Sequence, residues 1–228
     1  VGVLISKIDP INAGERVWTV APQDVATIGE LFLTGKFNAA RTVALVGSEV
    51  KEAQYYNVIS GAPISDLVAG KIEGDNVRVI SGDVLTGTKV KMDGNLGFYS
   101  NTVTVIPEGN VYRMFGWMPF ASPSVHSASR TGLSWLMPGK KYAPNTNLNG
   151  EERALVVTGE MEAVMPLDIF PMQLLKACLA SDIDKMESLG IYEVAPEDFA
   201  LIDYTNTSKL EAQQIIREAL DLMIKEVG

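Results

Sequence analysis

Apolar positions in the first fifty residues follow strand-like and then helical spacing. Val17 to Val20 reads as a short strand, and Val25, Ile28, Leu31 and Phe32 recur at helical intervals, predicting a helix from about Asp24 to Thr34 with one apolar face. Gly35 stands where a left-handed C-terminal cap belongs. Arg41 to Val46 is a nearly unbroken apolar run, the pattern of a strand covered on both faces in a parallel sheet. Residues 1–52 therefore read as the tail end of a larger α/β domain.

From Ala53 the pattern shortens to β-rich runs at Tyr55 to Ile59, Asn76 to Ile80, Phe98 to Ile106 and Tyr112 to Trp117, with glycine-rich turns between them. One short helix interrupts them near Pro63 to Ala69, with Pro63 at an allowed first-turn position. Two strands, a helix and further strands predict a small β-grasp-like domain over residues 53–150, and a five-stranded open barrel is the alternative. Pro119 to Gly150 is loop-like and reads as a long connector.

Helical punctuation dominates residues 151–228. Pro171 opens a helix carrying Leu174, Leu175, Cys178 and Leu179, with Asp168 placed to cap it. Ser181 is positioned to cap the next helix, which Gly190 ends, and Pro196 opens a third. Ser208-Lys209-Leu210-Glu211 has the spacing of a capping box, and Ile216, Leu220, Met223 and Val227 make a stripe on the last helix. The fold class is α+β, ending in a small helical domain.

Composition narrows the chemistry. The chain has one histidine, His126, and one cysteine, Cys178, too few to build a zinc or iron–sulphur site from those residue types. A formal charge of -9 argues against nucleic acid and anionic lipid as partners, since both select clustered Lys and Arg. Asp168 and Pro171 interrupt the most apolar stretch, so no run reaches the roughly 18 residues of a membrane span. A single cysteine excludes an internal disulfide, and Val1 with no leader after it reads as a processed product or a portion of a longer protein.

Individual motifs yield to ordinary structural readings. Gly82 to Lys89 has the glycine spacing of a phosphate loop, but Thr88 and Lys89 are transposed and no helix is predicted after them, so it reads as a glycine-rich turn. His126, between Ser124 and Ser127, reads as a surface-loop residue and Cys178 as a buried thiol. The acidic pairs Glu151-Glu152, Glu160/Glu162, Asp182/Asp184 and Glu197-Asp198 read largely as solvated helix starts. Phe115, Trp117, Met118 and Phe120 form an aromatic cluster that serves either the core or a partner- or quinone-facing surface. No catalytic, cofactor-binding or metal-ligating residue is assigned.

Several runs resemble the NqrA family, a component of the sodium-translocating NADH:quinone oxidoreductases. They are Gln23 to Gly29 with Thr34-Gly35, Arg78 to Gly82, Phe115-Gly116-Trp117, Gly150 to Ala154, Met165 to Pro171 and Glu197 to Leu201, in shared order. The resemblance implies the C-terminal half of such a protein: the end of a Rossmann-like domain, a β-grasp module of the soluble-ligand-binding type, and a helical domain. It also implies a peripheral, non-catalytic role on the cytoplasmic side of the bacterial inner membrane. Membrane contact would run through partner subunits, with a quinone nearby. No cofactor would reside in this chain, with flavins and iron–sulphur centres on other subunits of a complex coupling NADH oxidation and quinone reduction to Na+ export. Related redox subunits carry cluster-ligating cysteines in the helical domain, where this chain offers only Cys178, and some members of the family keep cysteines just before the last helix, where this chain has Asp203 to Ser208. A self-sufficient β-grasp module for a small ligand is the alternative.

Overall fold

Pro22 in the first turn, with Gly35 at φ 69° donating its N–H to the Leu31 carbonyl at 2.8 Å, delimits a helix over Pro22–Thr34. It is the second helix (α2) of a computed structural model that describes residues 2–111, 125–128, 130 and 132–227. The first, α1, spans Gly2–Ile8. Chain contacts divide the protein into two units. One comprises residues 19–111 and 141–147, and the other residues 1–18, 112–140 and 148–228.

The first unit is built on five strands, β1 Ala40–Val46, β2 Gln54–Ile59, β3 Val77–Ser81, β4 Thr88–Val90 and β5 Thr102–Pro107, in the order β2-β1-β5-β3-β4. The outer pairs are antiparallel hairpins; of the two inner pairs, β1 with β5 runs parallel and β5 with β3 antiparallel. Helix α3, Ile64–Val68, lies between β2 and β3 in sequence and buries Ile64, Leu67 and Val68. These pack with Val43, Leu45, Val79, Leu96, Val103 and Val105 in one core. Each fully buried branched side chain there contributes on the order of 1.5–3 kcal/mol.

Residues 17–20, expected as a strand, lie outside regular structure. The expectation for β1 is corrected too. It does not sit in a separate parallel sheet covered on both faces: Ala40 to Leu45 pair antiparallel with Ile59 to Gln54, so the ladder runs across residue 52. Burial alternates along β1, with Arg41, Val43 and Leu45 inward. The apolar run misled because Ala44 is small enough to occupy the half-open face of an antiparallel strand. The doubly covered strand is instead β5, where Val103 and Val105 face the core and Thr104 and Ile106 are also buried.

In the second unit, helices α4 Pro171–Leu179, α5 Ile183–Ser188, α6 Ala200–Thr205 and α7 Ala212–Glu226 enclose a core of Leu174, Leu175, Met186, Ile191, Phe199, Ile202 and Ile216. α7 packs on both α4 and α6. The helices lie close to their expected positions, but their caps differ. Phe170, not Asp168, precedes α4, and Asp182, not Ser181, caps α5 by accepting from Lys185 N at 3.2 Å. The Ser208 capping box does not form: Ser208 Oγ donates to the Ala154 carbonyl, and Asp203 supplies the acceptor for Ala212 N at the start of α7. A carboxylate nine residues upstream serves because the turn after α6 folds it back over that helix end. Among the described residues no helix is long and apolar enough to cross a membrane.

Candidate functional site

The sheet unit carries a cleft of about 400 Å³ lined by Val46 to Ser48 at the end of β1, Asp83 and Val84 after β3, Thr102, Thr104 and Ile106 of β5, and Tyr142 to Pro144. Two glycines shape its floor. Gly47 at φ 127° approaches β5 so closely that a Cβ would lie 1.9 Å from the Val105 carbonyl oxygen. Gly82, at φ 111°, donates to the Thr102 carbonyl at 2.8 Å and accepts from Thr104 Oγ1 at 2.8 Å. Only glycine takes such dihedrals without strain, so the strand ends can bend away and leave space above β5.

Asp83 shapes the rim through a compact turn. Its carboxylate accepts from Leu85 N at 2.7 Å, Thr86 N at 2.8 Å and Thr86 Oγ1 at 2.7 Å. Burial alone would raise its pKa, but these hydrogen bonds outweigh burial and hold it below the ordinary carboxylate range. The motif from Gly82 to Lys89 is thus a β3–β4 turn whose amides are taken up by Asp83 and which is followed by a strand. It offers no helix terminus to an anion.

The far wall is held by Glu108. Arg78 Nε donates to Glu108 Oε2 at 3.0 Å, Lys89 Nζ to the same oxygen at 3.1 Å, and Thr146 Oγ1 to Oε1 at 2.9 Å, while a second Arg78 nitrogen completes a bidentate pair. Thr146 Oγ1 also accepts from Gly109 N at 2.7 Å, which ties residues 141–147 to the end of β5. The Arg78 guanidinium above all, aided by Lys89 and Thr146, draws the Glu108 carboxyl down to about 2. Sequence inspection passes over this clamp because Arg78, Lys89, Glu108 and Thr146 share no local spacing; only strand pairing assembles them.

Chemically the cleft suits recognition better than reaction. Its walls are mainly apolar, and two of its polar side chains, Thr104 and Asp83, are already engaged with the backbone. A volume in the range of small-molecule sites, with few polar groups, fits an apolar or planar ligand.

In the helical unit, His126 is exposed, its Nδ1 is 3.2 Å from Tyr204 Oη, and the two rings stack at 5.9 Å. Cys178 is buried in the α4 core, and burial pushes its thiol up to about 11, so it is neither a thiolate nucleophile nor a ready metal ligand. Glu160 accepts from Thr207 N at 3.2 Å and Thr207 Oγ1 at 2.9 Å, and Asp198 accepts from Ala195 N at 3.0 Å. Among the described residues no group of three or more His, Cys, Asp or Glu could hold a metal ion. Phe115, Trp117, Met118 and Phe120 lie outside the described residues.

These features define a mixed α/β chain, with a five-stranded sheet and helices α2 and α3 in one unit and a small helical bundle in the other. Residues 42–92 match the model of the NQRA C-terminal domain, and residues 1–37 match that of the NqrA second alpha/beta domain. The chain is 39% identical over 226 residues to the NqrA component of the Na(+)-translocating NADH-quinone reductase of Neisseria meningitidis serogroup B. It is 38% identical over 227 residues to that of Serratia proteamaculans and 39% identical over 227 residues to that of a Marinomonas species. Each match takes in 99% of this chain and 50–51% of the relative, so the chain spans about half the length of the curated relatives it matches. Over nearly its whole length the chain is thus similar to about half of these NqrA proteins.

Proposed function

We propose that this chain forms the non-catalytic C-terminal half of a peripheral subunit in a complex that couples NADH oxidation and quinone reduction to Na+ export. The observation that carries the reading is the likeness over nearly the whole chain to half of proteins named as components of a Na(+)-translocating NADH-quinone reductase. In this reading residues 1–52 end a Rossmann-like domain, residues 53–150 hold a β-grasp module, and residues 151–228 contribute docking surface to membrane subunits on the cytoplasmic side. Flavins and iron–sulphur centres reside on partner subunits. Phe115, Trp117, Met118 and Phe120 are the candidate residues for a partner- or quinone-side surface, with a place in the core as the alternative. Exposed apolar side chains on the helical unit, among them Phe170, Leu179 and Ile224, support a docking role.

The test is co-purification of the full-length protein with its membrane partners from detergent-solubilised membranes. Deleting residues 151–228, or placing Glu at both Phe170 and Ile224, is expected to abolish co-purification. A complex that assembles normally with either variant would contradict the docking role. The cleft beside β5 favours a second reading, a small-ligand-binding module; a stoichiometric small molecule released from the purified chain and lost in Thr104→Trp would support it.

A further inference from the structure

All 28 acidic residues of this chain lie outside residues 109–150, a stretch that holds the basic residues Arg113, Arg130, Lys140 and Lys141. The net charge of -9, which counts against an anionic lipid partner for the chain as a whole, is therefore unevenly placed. Surface charges act over only ~8 Å at physiological salt, so a local basic patch meets its surroundings largely independently of the distant total.

Within this stretch the chain builds a preorganised apolar turn. Ser134 is buried and its hydroxyl accepts from Ser127 N at 2.9 Å, while the Ser127 hydroxyl accepts from Gly132 N at 3.0 Å. These two serines tie the loop together at the start of a 3₁₀ turn over Leu133–Leu136. Met137 N then donates to the Ser134 carbonyl and Lys140 N to the Met137 carbonyl, each at 3.0 Å. With three residues per turn, Leu133 and Leu136 align on one edge and Trp135 lies beside them. Leu133, Trp135 and Leu136 are 48%, 53% and 58% exposed, and Met137 is exposed as well. Burying the small polar Ser134 while exposing the large apolar neighbours inverts the usual order for a turn that faces water.

Basic residues bracket this wedge. Arg130 precedes it, Lys140 and Lys141 follow it, and all three are exposed. An indole among aliphatic side chains, flanked by Lys and Arg, matches the headgroup boundary of a bilayer, where Trp places its amphipathic ring and cations meet phosphates. A protein surface is the poorer match. Stable protein interfaces bury ~800 Å² on each partner, more than one turn with four apolar side chains offers, whereas a lipid surface adds the electrostatic share of three cations.

We propose that residues 130–141 form a direct membrane-contact loop, in which Leu133, Trp135, Leu136 and Met137 enter the boundary of an anionic bilayer and Arg130, Lys140 and Lys141 meet its phosphate headgroups. The contact is with lipid itself and goes beyond the docking of protein partners assigned to residues 151–228. It rests neither on assembly of a complex nor on the rest of the longer relatives.

Sedimentation of the 228-residue chain with vesicles tests it, because no partner protein is present. Binding to vesicles of phosphatidylglycerol and phosphatidylethanolamine in equal parts is expected to be at least ~10-fold tighter than to phosphatidylcholine vesicles, and to weaken as salt rises. Trp135→Ser with Leu136→Ser is expected to weaken binding at least ~10-fold through lost apolar burial. Lys140→Gln with Lys141→Gln is expected to cost ~10-fold on the anionic vesicles alone. Circular dichroism checks that each variant is folded, and a second readout leaves the loop intact: lipids brominated on their acyl chains should quench Trp135 in a Trp18→Phe, Trp117→Phe chain. Absence of binding to the anionic vesicles, equal binding to both lipids, wild-type binding by either folded loop variant, or absence of quenching would each overturn the proposal. If the chain ignores vesicles while the Trp135→Ser, Leu136→Ser variant of the full-length protein fails to co-purify with its membrane partners, the turn is a protein contact and the proposal fails.

Discussion

The Glu108 clamp makes a quantitative prediction, because its charge and its hydrogen bonds are separable by Glu108→Gln. Lowering this carboxyl from 4.5 to about 2 corresponds to roughly 3 kcal/mol of preference for the ionised, folded form at about 1.4 kcal/mol per unit. The Lys89 head group and part of the Arg78 side chain face solvent, and screening there reduces the expected contribution to about 1–2 kcal/mol. The sign follows from the depressed pKa: this stability is present in full above about pH 4.5, declines below it, and is lost as pH falls through about 2. Hydrogen exchange of the peptide spanning Thr102–Pro107 reports the sheet unit directly. After correction for intrinsic rates, the variant should exchange ~5–30-fold faster than wild type at pH 7, as 1–2 kcal/mol requires. The gap should shrink by more than half at pH 3. Identical rates at pH 7 would refute the clamp, and a gap unchanged between pH 7 and pH 3 would show that the ionised carboxylate is not its source.

Three further outcomes are expected. Gly47→Ala should destabilise the sheet unit by at least ~3 kcal/mol, because the added methyl meets the Val105 carbonyl at a positive φ; urea denaturation followed by circular dichroism measures it, and a near-native midpoint would contradict the close approach. Cys178, with its thiol pushed up to about 11, should resist alkylation at pH 8 until denaturant is added, whereas rapid labelling of folded protein would show that the α4 core opens readily. Asp203→Ala should cost about 1–2 kcal/mol through loss of the α7 cap, while Asp203→Asn, which keeps an acceptor, should cost less. Burial raises the pKa of Asp203, so its own contribution to stability is greatest at low pH and is lost as pH rises through its folded value. The Asn variant should therefore compare least favourably with wild type in acid, and thermal melts at pH 4 and pH 7 check the ordering.

The helical unit was the more legible part of the sequence because its signals are local. Pro171, Gly190 and Pro196 punctuate it at the expected places, and Leu174, Leu175 and Ile216 sit in the core that their spacing implies. Its caps were less legible, since a carboxylate reached from Asp203 satisfies Ala212 as well as the adjacent Ser208 could have done. In the sheet unit the strand positions could be read but not their pairing. Only long-range register reveals that β1 joins β2 and β5, and that Arg78 and Glu108 meet across β3 and β5. The cleft has no linear motif because glycines and side chains from four separate segments form it.

The two places where local reading and structure part company most sharply have a common physical origin. Residues 17–20 have strand character but no partner strand, and α2 has an apolar face but no cover; both lie within the stretch matched to an alpha/beta domain. Pattern predicts what a segment does when its partners are present, whereas burial records which partners are there. The turn from Asp203 to Ser208 gives the opposite case. Where the family resemblance places cysteines in some members, Asn206 is buried, donates from Nδ2 to the carbonyls of Ile202 and Leu210 and accepts from Leu210 N, and Asp203 caps α7. Thr207 and Ser208 add hydrogen bonds to Glu160 and Ala154, so buried polar groups of this turn find partners within the helical unit. The hydrogen bonds of that turn are met within the helical unit, whereas the apolar side chains of α2 stay exposed and only its polar side is engaged, through Gln23 and Asp24.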